Sequence, residues 1–344
     1  MTPDQSFTDP SCFHATLATL LLDHDPARPP AAVLGNTTAT AAALNADGEA
    51  VFGDTVAPLL DALGTRGLRL DHRRLREPGE LNAFADAVRT GLPVVTVVDT
   101  FHLPHYWVDR GRIHGLHALV LRGYDPADST VRMTDAVDTT FFDQRVTLAS
   151  LDAALRDECQ MQTWMRPVSW DAGHDPDTRT VAAELAGHAE TLAGTAREEL
   201  SGTALVRALA RDVDRLVSPR SARRPPGIGA QTPDTGRMTD VLQGMWSYHH
   251  TLRWFGDYLA VLRLPRADAP VREASAAVVR AAHHLLAVRG LMVRCGVSGP
   301  ARIDVYRTEI ARRLDEVGTD LATAASALRR AADAAVRSPE GARR

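Results

Sequence analysis

The spacing of hydrophobic residues along the chain changes twice, and these changes predict where helices and strands lie. Near the N-terminus, apolar residues recur at three- and four-residue intervals, which predicts an amphipathic helix with one buried face. These residues are Phe13, Leu17, Leu20 and Leu21. Asp9 is a suitable N-cap and Pro10 suits the first helical position, so Cys12 falls in the first turn of this helix.

The following segment, 25–53, is rich in Pro, Ala, Thr and Gly, and it predicts a loop or short irregular pieces. Within it, the run from Asn45 to Gly48 is typical of a turn. Helical periodicity returns over 55–63 and again over about 78–90, where Gly91 gives a stop.

A β-branched run over 92–98 then predicts a central strand that is covered on both faces. Two more strands, 117–125 and 130–135, are separated by a turn and therefore predict a hairpin. The start of the first hairpin strand faces the end of the second, which places His117 and Asp135 at the same end of the sheet. Two further elements follow: a strand around 141–146 and a helix near 148–158.

From about residue 179 the strand signal disappears, and long helices rich in Ala, Leu and Arg are predicted. They cover 179–217, 237–263, 270–295 and 301–335. We therefore expect an α+β protein with two domains, which suits a length of 344 residues. The predicted boundaries are 1–168 for the mixed domain and 169–340 for an α-helical bundle domain with a flexible linker near 218–236.

Composition and charge exclude several classes of protein. A formal net charge of −4 argues against a general nucleic-acid binder, which needs a basic surface. The N-terminus lacks the pattern of a signal peptide and no apolar stretch is judged long enough to cross a bilayer, so we expect a cytoplasmic protein without a membrane partner. The cysteines are widely separated and odd in number, which suggests neither a disulfide framework nor a zinc site. They are Cys12, Cys159 and Cys295.

Cys12 is the candidate nucleophile, because the first turn of a helix surrounds a thiol with unpaired N–H groups at the positive end of the dipole. Such a thiol needs a base, and the base needs an acceptor on its other ring nitrogen. His117 and Asp135 can supply these two groups. A cysteine on an early helix, followed by a histidine and an acid on successive strands, is typical of papain-like folds. Taken alone, Cys12 could instead be a small buried cysteine.

The segment 99–107 follows the predicted central strand and is rich in aromatic and polar residues, as expected of a loop that lines a site. Its candidates for substrate binding are Asp99, His102 and Tyr106, although Asp99 could instead cap its own loop.

Other histidines and acids compete for roles in this region. The pairs His102/His105 and His114/His117 have metal-ligand spacing, but a loop fixes no common face and no matching carboxylate or cysteine set accompanies them. We therefore predict no metal site. Asp125 is the rival to Asp135, but its surroundings are typical of a turn.

Four features resemble the N-terminal domain of the butirosin biosynthesis protein H family. They are Cys12 at a helix start, VDTFHLP at 98–104, GLHALVLRGYD at 115–125 and MTD at 133–135. The helical region that follows resembles the domain of unknown function that often trails it. The resemblance implies a papain-like cysteine-protease fold in the first domain, most nearly that of the peptidase domains of bacteriocin-exporting transporters.

The resemblance also implies an activity: transfer of an acyl or aminoacyl group from a carrier-protein phosphopantetheine thioester to a small-molecule amine, in antibiotic biosynthesis and without a bound cofactor. The partner would be an acyl or peptidyl carrier protein. The resemblance implies that Cys12 is the nucleophile, that His117 is the base and that Asp135 orients His117. Gln5 lies near the position where the transporter peptidases place an oxyanion donor. Two alternatives remain: a thiol hydrolase, amidase or cyclase with the same triad, and a catalytically silent binding module.

Overall fold

A computed structural model describes most of the chain as a mixture of helices and one large sheet. The described residues are 12–39, 42–52, 56–75, 79–103, 105, 110–111, 116–137, 140–156, 163–171, 176–195, 200–217, 233–297 and 300–337. The α+β class predicted from sequence is confirmed. The chain divides into two compact units, one formed by 1–30 with 63–174 and the other by 31–62 with 175–344.

The elements are as follows. The helices are α1 (Cys12–His24), α2 (Ala31–Leu34), α3 (Val56–Thr65), α4 (Glu80–Arg89), α5 (Leu148–Arg156), α6 (Thr178–Ala193), α7 (Gly202–Leu216), α8 (Pro233–Val261), α9 (Asp268–Val297) and α10 (Pro300–Val336). The strands are β1 (Ala42–Leu44), β2 (Ala50–Phe52), β3 (Leu68–Arg74), β4 (Val94–Asp99), β5 (Leu116–Asp125), β6 (Thr130–Val137), β7 (Thr140–Thr147) and β8 (Thr163–Trp170). A short 3₁₀ helix, Thr100–His102, follows β4.

The first unit is built on a six-stranded antiparallel sheet in the order β3-β8-β4-β5-β6-β7. The run over 92–98 is confirmed as a central strand, since β4 pairs with β8 on one side and β5 on the other. β3 and β8 were not predicted. β3 is largely charged, a composition that an edge strand tolerates because one side of it faces water, and β8 contains Pro167.

The predicted hairpin is confirmed, because β5 and β6 pair with Leu121 opposite Met133. These two side chains belong to a buried apolar cluster that also contains Val94 and residues of α4 and α5. α1 contacts β5 and β6, and Thr16 Oγ1 donates a 3.0 Å hydrogen bond to the carbonyl of Ala118. The sequence predicted one buried face, but α1 is buried on all sides over 14–21, whereas Phe13 is partly exposed. The element that carries Cys12 is therefore fixed to the sheet.

The second unit has its core among α6 to α10. The sequence predicted one helix over 179–217, which is wrong, because the structure has two helices there. Asp177 caps the start of α6 by accepting a hydrogen bond from the Thr180 N–H at 2.7 Å. The helix ends at Gly194, whose φ of 70° is left-handed and therefore stops it.

The segment 25–53, predicted as a loop or irregular pieces, contains α2 and the β1-β2 hairpin. Its predicted turn is confirmed, since the Asn45 side chain accepts hydrogen bonds from the N–H groups of Asp47 and Glu49. Residues 31–62 belong to the helical unit, unlike the predicted boundary at 168/169, which assigned them to the first domain. One anchor is the Ala50 N–H, which donates to the buried Asp212 carboxylate at 3.0 Å.

Gly35 gives a test of this packing. A Cβ at this position would clash with the Trp254 carbonyl and lie 2.6 Å from the Tyr258 Cβ. Because backbone is one of the obstacles, Gly35→Ala should destabilise the protein by about 1–3 kcal/mol. Gly187→Ala is the control, since its Cβ would meet nothing within 4 Å in α6 and alanine should gain up to about 1 kcal/mol there. Chemical denaturation measures both, and equal stability of the two variants would contradict the packing.

Among the described helices, α9 is long and apolar enough over 268–295 to cross a membrane by length and composition. This differs from the expectation that no such stretch exists. The criterion is weak because core helices of this size also satisfy it. The apolar residues of α9 include members of the helical core, among them Val278, Leu285 and Met292.

Candidate active site

Cys12 lies at the start of α1, beside the beginning of β5. The residue is partly exposed and forms no disulfide. It is hydrogen-bonded to the His117 side chain and receives a second hydrogen bond from the Ala118 backbone. The bond from Thr16 to the Ala118 carbonyl holds the next turn of α1 against the same strand. The sulfur is therefore positioned by two packed elements rather than by a loop.

His117 and Asp135 meet on one face of the sheet, as the hairpin register predicted. His117 Nε2 lies 2.8 Å from Asp135 Oδ1, and both side chains are buried. Val120 pairs with Thr134, so extending the register by one residue places Leu119 opposite Asp135. His117 is two residues from Leu119 and shares its face, which makes the histidine and the aspartate diagonal neighbours. With Nε2 engaged, Nδ1 is the ring nitrogen left for the thiol.

The charges of these three groups depend on one another. Burial opposes ionisation of Cys12, but the hydrogen bond and charge of His117 outweigh it and lower the pKa of the thiol. Burial also disfavours the charged imidazole, yet its bonds to Asp135 and Cys12 raise the pKa of His117 to about 9. Burial works against the carboxylate, but hydrogen bonds from His105 and His117 lower the pKa of Asp135. The three shifts therefore favour a thiolate, an imidazolium and a carboxylate in this site.

His105 is a member of the site that sequence reasoning considered only as a rival base or metal ligand. Its Nε2 lies 2.7 Å from Asp135 Oδ2, and its side chain is 8% exposed. The ring stacks on Phe142 with centroids 4.1 Å apart and an angle of 19° between the planes. Its place in the polar loop after β4 was the available signal, but spacing along the chain does not connect residue 105 with residue 135.

The remaining candidates have mixed outcomes. Asp99 is buried and its Oδ1 accepts a 2.9 Å hydrogen bond from the Phe101 N–H, so it does cap the 3₁₀ helix. His102 ends that helix, with its ring 4.9 Å from that of Phe101. Substrate contacts by Asp99 and His102 stay predictions. Gln5 and Tyr106 lie outside the described residues, as do Asp9, Pro10, His114 and Cys159.

Neither the alternative acid, Asp125, nor a metal site is part of the Cys12–His117–Asp135 cluster in the described residues. Asp125 Oδ1 accepts a hydrogen bond from the Ala127 N–H and Oδ2 lies 3.4 Å from Arg145, an exposed arrangement that confirms the turn. In the described part of the chain, no group of three or more His, Cys, Asp or Glu side chains could hold a metal ion.

The chain matches no family model and no curated protein. A thiolate at a helix N-terminus can attack a carbonyl carbon, and the N–H groups of the first turn can stabilise the oxyanion that forms. An imidazolium in contact with the sulfur can protonate a leaving group. Together these groups are suited to acyl chemistry through a covalent intermediate.

Proposed function

We propose that this chain is a cysteine-dependent acyltransferase with a papain-like first domain. The observation that supports it best is the continuous series of hydrogen bonds from Cys12 through His117 to Asp135. A helix-borne cysteine against an antiparallel sheet that carries the histidine and the acid is the layout expected of papain-like enzymes. The resemblance to the butirosin biosynthesis protein H family supports transfer rather than proteolysis.

In the first half-reaction, the Cys12 thiolate attacks the thioester carbonyl of an acyl or aminoacyl group carried on the phosphopantetheine arm of an acyl or peptidyl carrier protein. A new carbon–sulfur bond to Cys12 forms and the bond to the phosphopantetheine sulfur breaks. His117 gives its proton to the departing thiolate, so that phosphopantetheine leaves as a thiol and a neutral imidazole remains beside an acyl-Cys12 thioester.

In the second half-reaction, a small-molecule amine attacks the acyl-Cys12 carbonyl. Neutral His117 accepts the proton that the amine loses, and Cys12 departs as a thiolate. The products are an amide and the restored thiolate–imidazolium pair. Because the donor thioester is already activated, neither step needs a cofactor bound to the protein. A role in natural-product biosynthesis within the reducing cytoplasm fits this thiol chemistry.

The test offers the protein an acyl-carrier thioester with and without an amine and follows the products by mass spectrometry. We expect a mass increase of one acyl group on Cys12 and amide only when amine is present. Free acid at equal rates with and without amine would instead favour a thiol hydrolase on the same triad. If no acyl-enzyme forms with any carrier thioester or simple acyl thioester, the proposal is wrong and a non-catalytic binding module becomes the better interpretation.

A further inference from the structure

We propose that His105 is a positioning residue that fixes the Asp135 carboxylate and through it the orientation of His117. The inference rests on the proposed function, since it concerns the same Cys12 site. In the described residues, the contact that carries it is the 2.7 Å bond between His105 Nε2 and Asp135 Oδ2, on the oxygen that His117 does not use.

The two bonds to Asp135 fix the proton positions of both histidines. An ionised carboxylate only accepts hydrogen bonds, so each imidazole must present Nε2–H to it. His117 thereby keeps Nδ1 for Cys12, whose proton it must exchange. With one donor on each oxygen, the carboxylate cannot rotate without breaking a 2.7 or 2.8 Å bond. Asp135 is fully buried, so water is poorly placed to replace either donor.

His105 is itself held from a third direction. Phe142 on β7 pairs directly with Asp135 on β6, and these neighbours project from the same face of the sheet. The His105 ring stacks on Phe142, which sets the plane of the imidazole and so the direction of its N–H. Through His105, the segment after β4 therefore contacts both β6 and β7. These contacts hold the Asp135 carboxylate in one orientation.

The hydrogen bond from His105 also favours the ionised form of Asp135, which in turn stabilises the protonated form of His117. Burial penalises the Asp135 carboxylate, and donors on both of its oxygens compensate that penalty. The hydrogen bond and charge of His117 and the hydrogen bond from the Ala118 backbone lower the pKa of Cys12, and the hydrogen bond to Asp135 helps to raise the pKa of His117. Removal of the His105 donor should therefore lower the pKa of His117 and raise the pH at which Cys12 ionises.

The experiment measures the rate of Cys12 alkylation by iodoacetamide as a function of pH, with modification located by peptide mass spectrometry. His105→Phe keeps a ring for stacking on Phe142 but removes the donor. His105→Gln places an amide N–H near the Nε2 position but removes the ring. We expect the acid limb of the phenylalanine variant to lie about one unit higher than that of the wild type, so that at a pH below both limbs it reacts about 10-fold more slowly. The glutamine variant should recover most of that loss.

A double variant shows whether His105 acts through Asp135. His105→Phe should have no additional effect in an Asp135→Asn background, because the charged acceptor is already gone. An equal slowing in both backgrounds, or a wild-type profile for His105→Phe, would overturn the proposal. Should the phenylalanine variant fail to fold by circular dichroism, His105→Asn replaces it, since its amide sits near Nδ1 and falls short of Oδ2.

Alkylation needs no acyl donor, which separates the two proposals. An effect of His105 on alkylation without any acyl transfer would leave this inference intact and reject the proposed function. Acyl transfer together with alkylation rates that are unchanged by substitution of His105 would support the proposed function and reject this inference.

Discussion

Replacing Cys12 with serine should reduce formation of the covalent acyl-enzyme by at least about 10³-fold. Serine nearly matches the shape of the side chain and can keep the hydrogen bond to His117. Its hydroxyl is far less acidic than a thiol, however, so the imidazolium that holds the Cys12 thiolate cannot hold the corresponding alkoxide. The measurement is the intact mass of the protein after incubation with an acyl-carrier thioester.

Cys295 provides the matched control. It is buried in the core of the helical unit, and burial raises the pKa of its thiol, so it lacks the properties of a nucleophile. Cys295→Ala should carry the acyl group at the wild-type rate. If Cys12→Ser is acylated as fast as the wild type, the thiol at the start of α1 is not the nucleophile and the proposed function fails.

The sequence predicted the parts of this site that depend on local patterns. The helical repeat of α1, the β-branched run of β4 and the hairpin of β5 and β6 are each encoded by nearby residues. The hairpin places His117 and Asp135 at one end of the sheet. The pair at 2.8 Å follows from the two-residue period of strands. A pair of acid and base residues can therefore be predicted from sequence where both lie on neighbouring strands whose pairing is known.

The parts that were missed depend on tertiary contacts. β3 consists mainly of charged residues and is a strand because β8 supplies its hydrogen bonds. The hairpin of β1 and β2 belongs to the helical unit through contacts such as that between Ala50 and Asp212, which are 162 residues apart. His105 joins Asp135 in the same way, from a loop in which no periodicity fixes direction. Neither propensity nor spacing contains that information.

Asp135→Asn should slow acyl-enzyme formation by about 10²- to 10⁴-fold, because the acid–base function of His117 depends on this carboxylate. An amide is neutral and presents one acceptor oxygen, whereas Asp135 accepts from His117 and His105 on two. One of the two histidine N–H groups must therefore face the NH₂ group of the new amide, or its ring must rotate away. The remaining bond to His117 also lacks the negative charge that stabilises the imidazolium.

The pH profile distinguishes this loss of charge from a general disturbance of the fold. In the wild type, His117 is protonated below its pKa of about 9, so acyl-enzyme formation should fall as pH rises through that value and the leaving thiol loses its proton donor. Without the Asp135 carboxylate the pKa of His117 drops, and the fall should begin at lower pH. Asp125→Asn is the control, since Asp125 is exposed beside Arg145 and should leave rate and profile unchanged. A basic limb that stays near pH 9 in Asp135→Asn would show that another group holds the His117 proton.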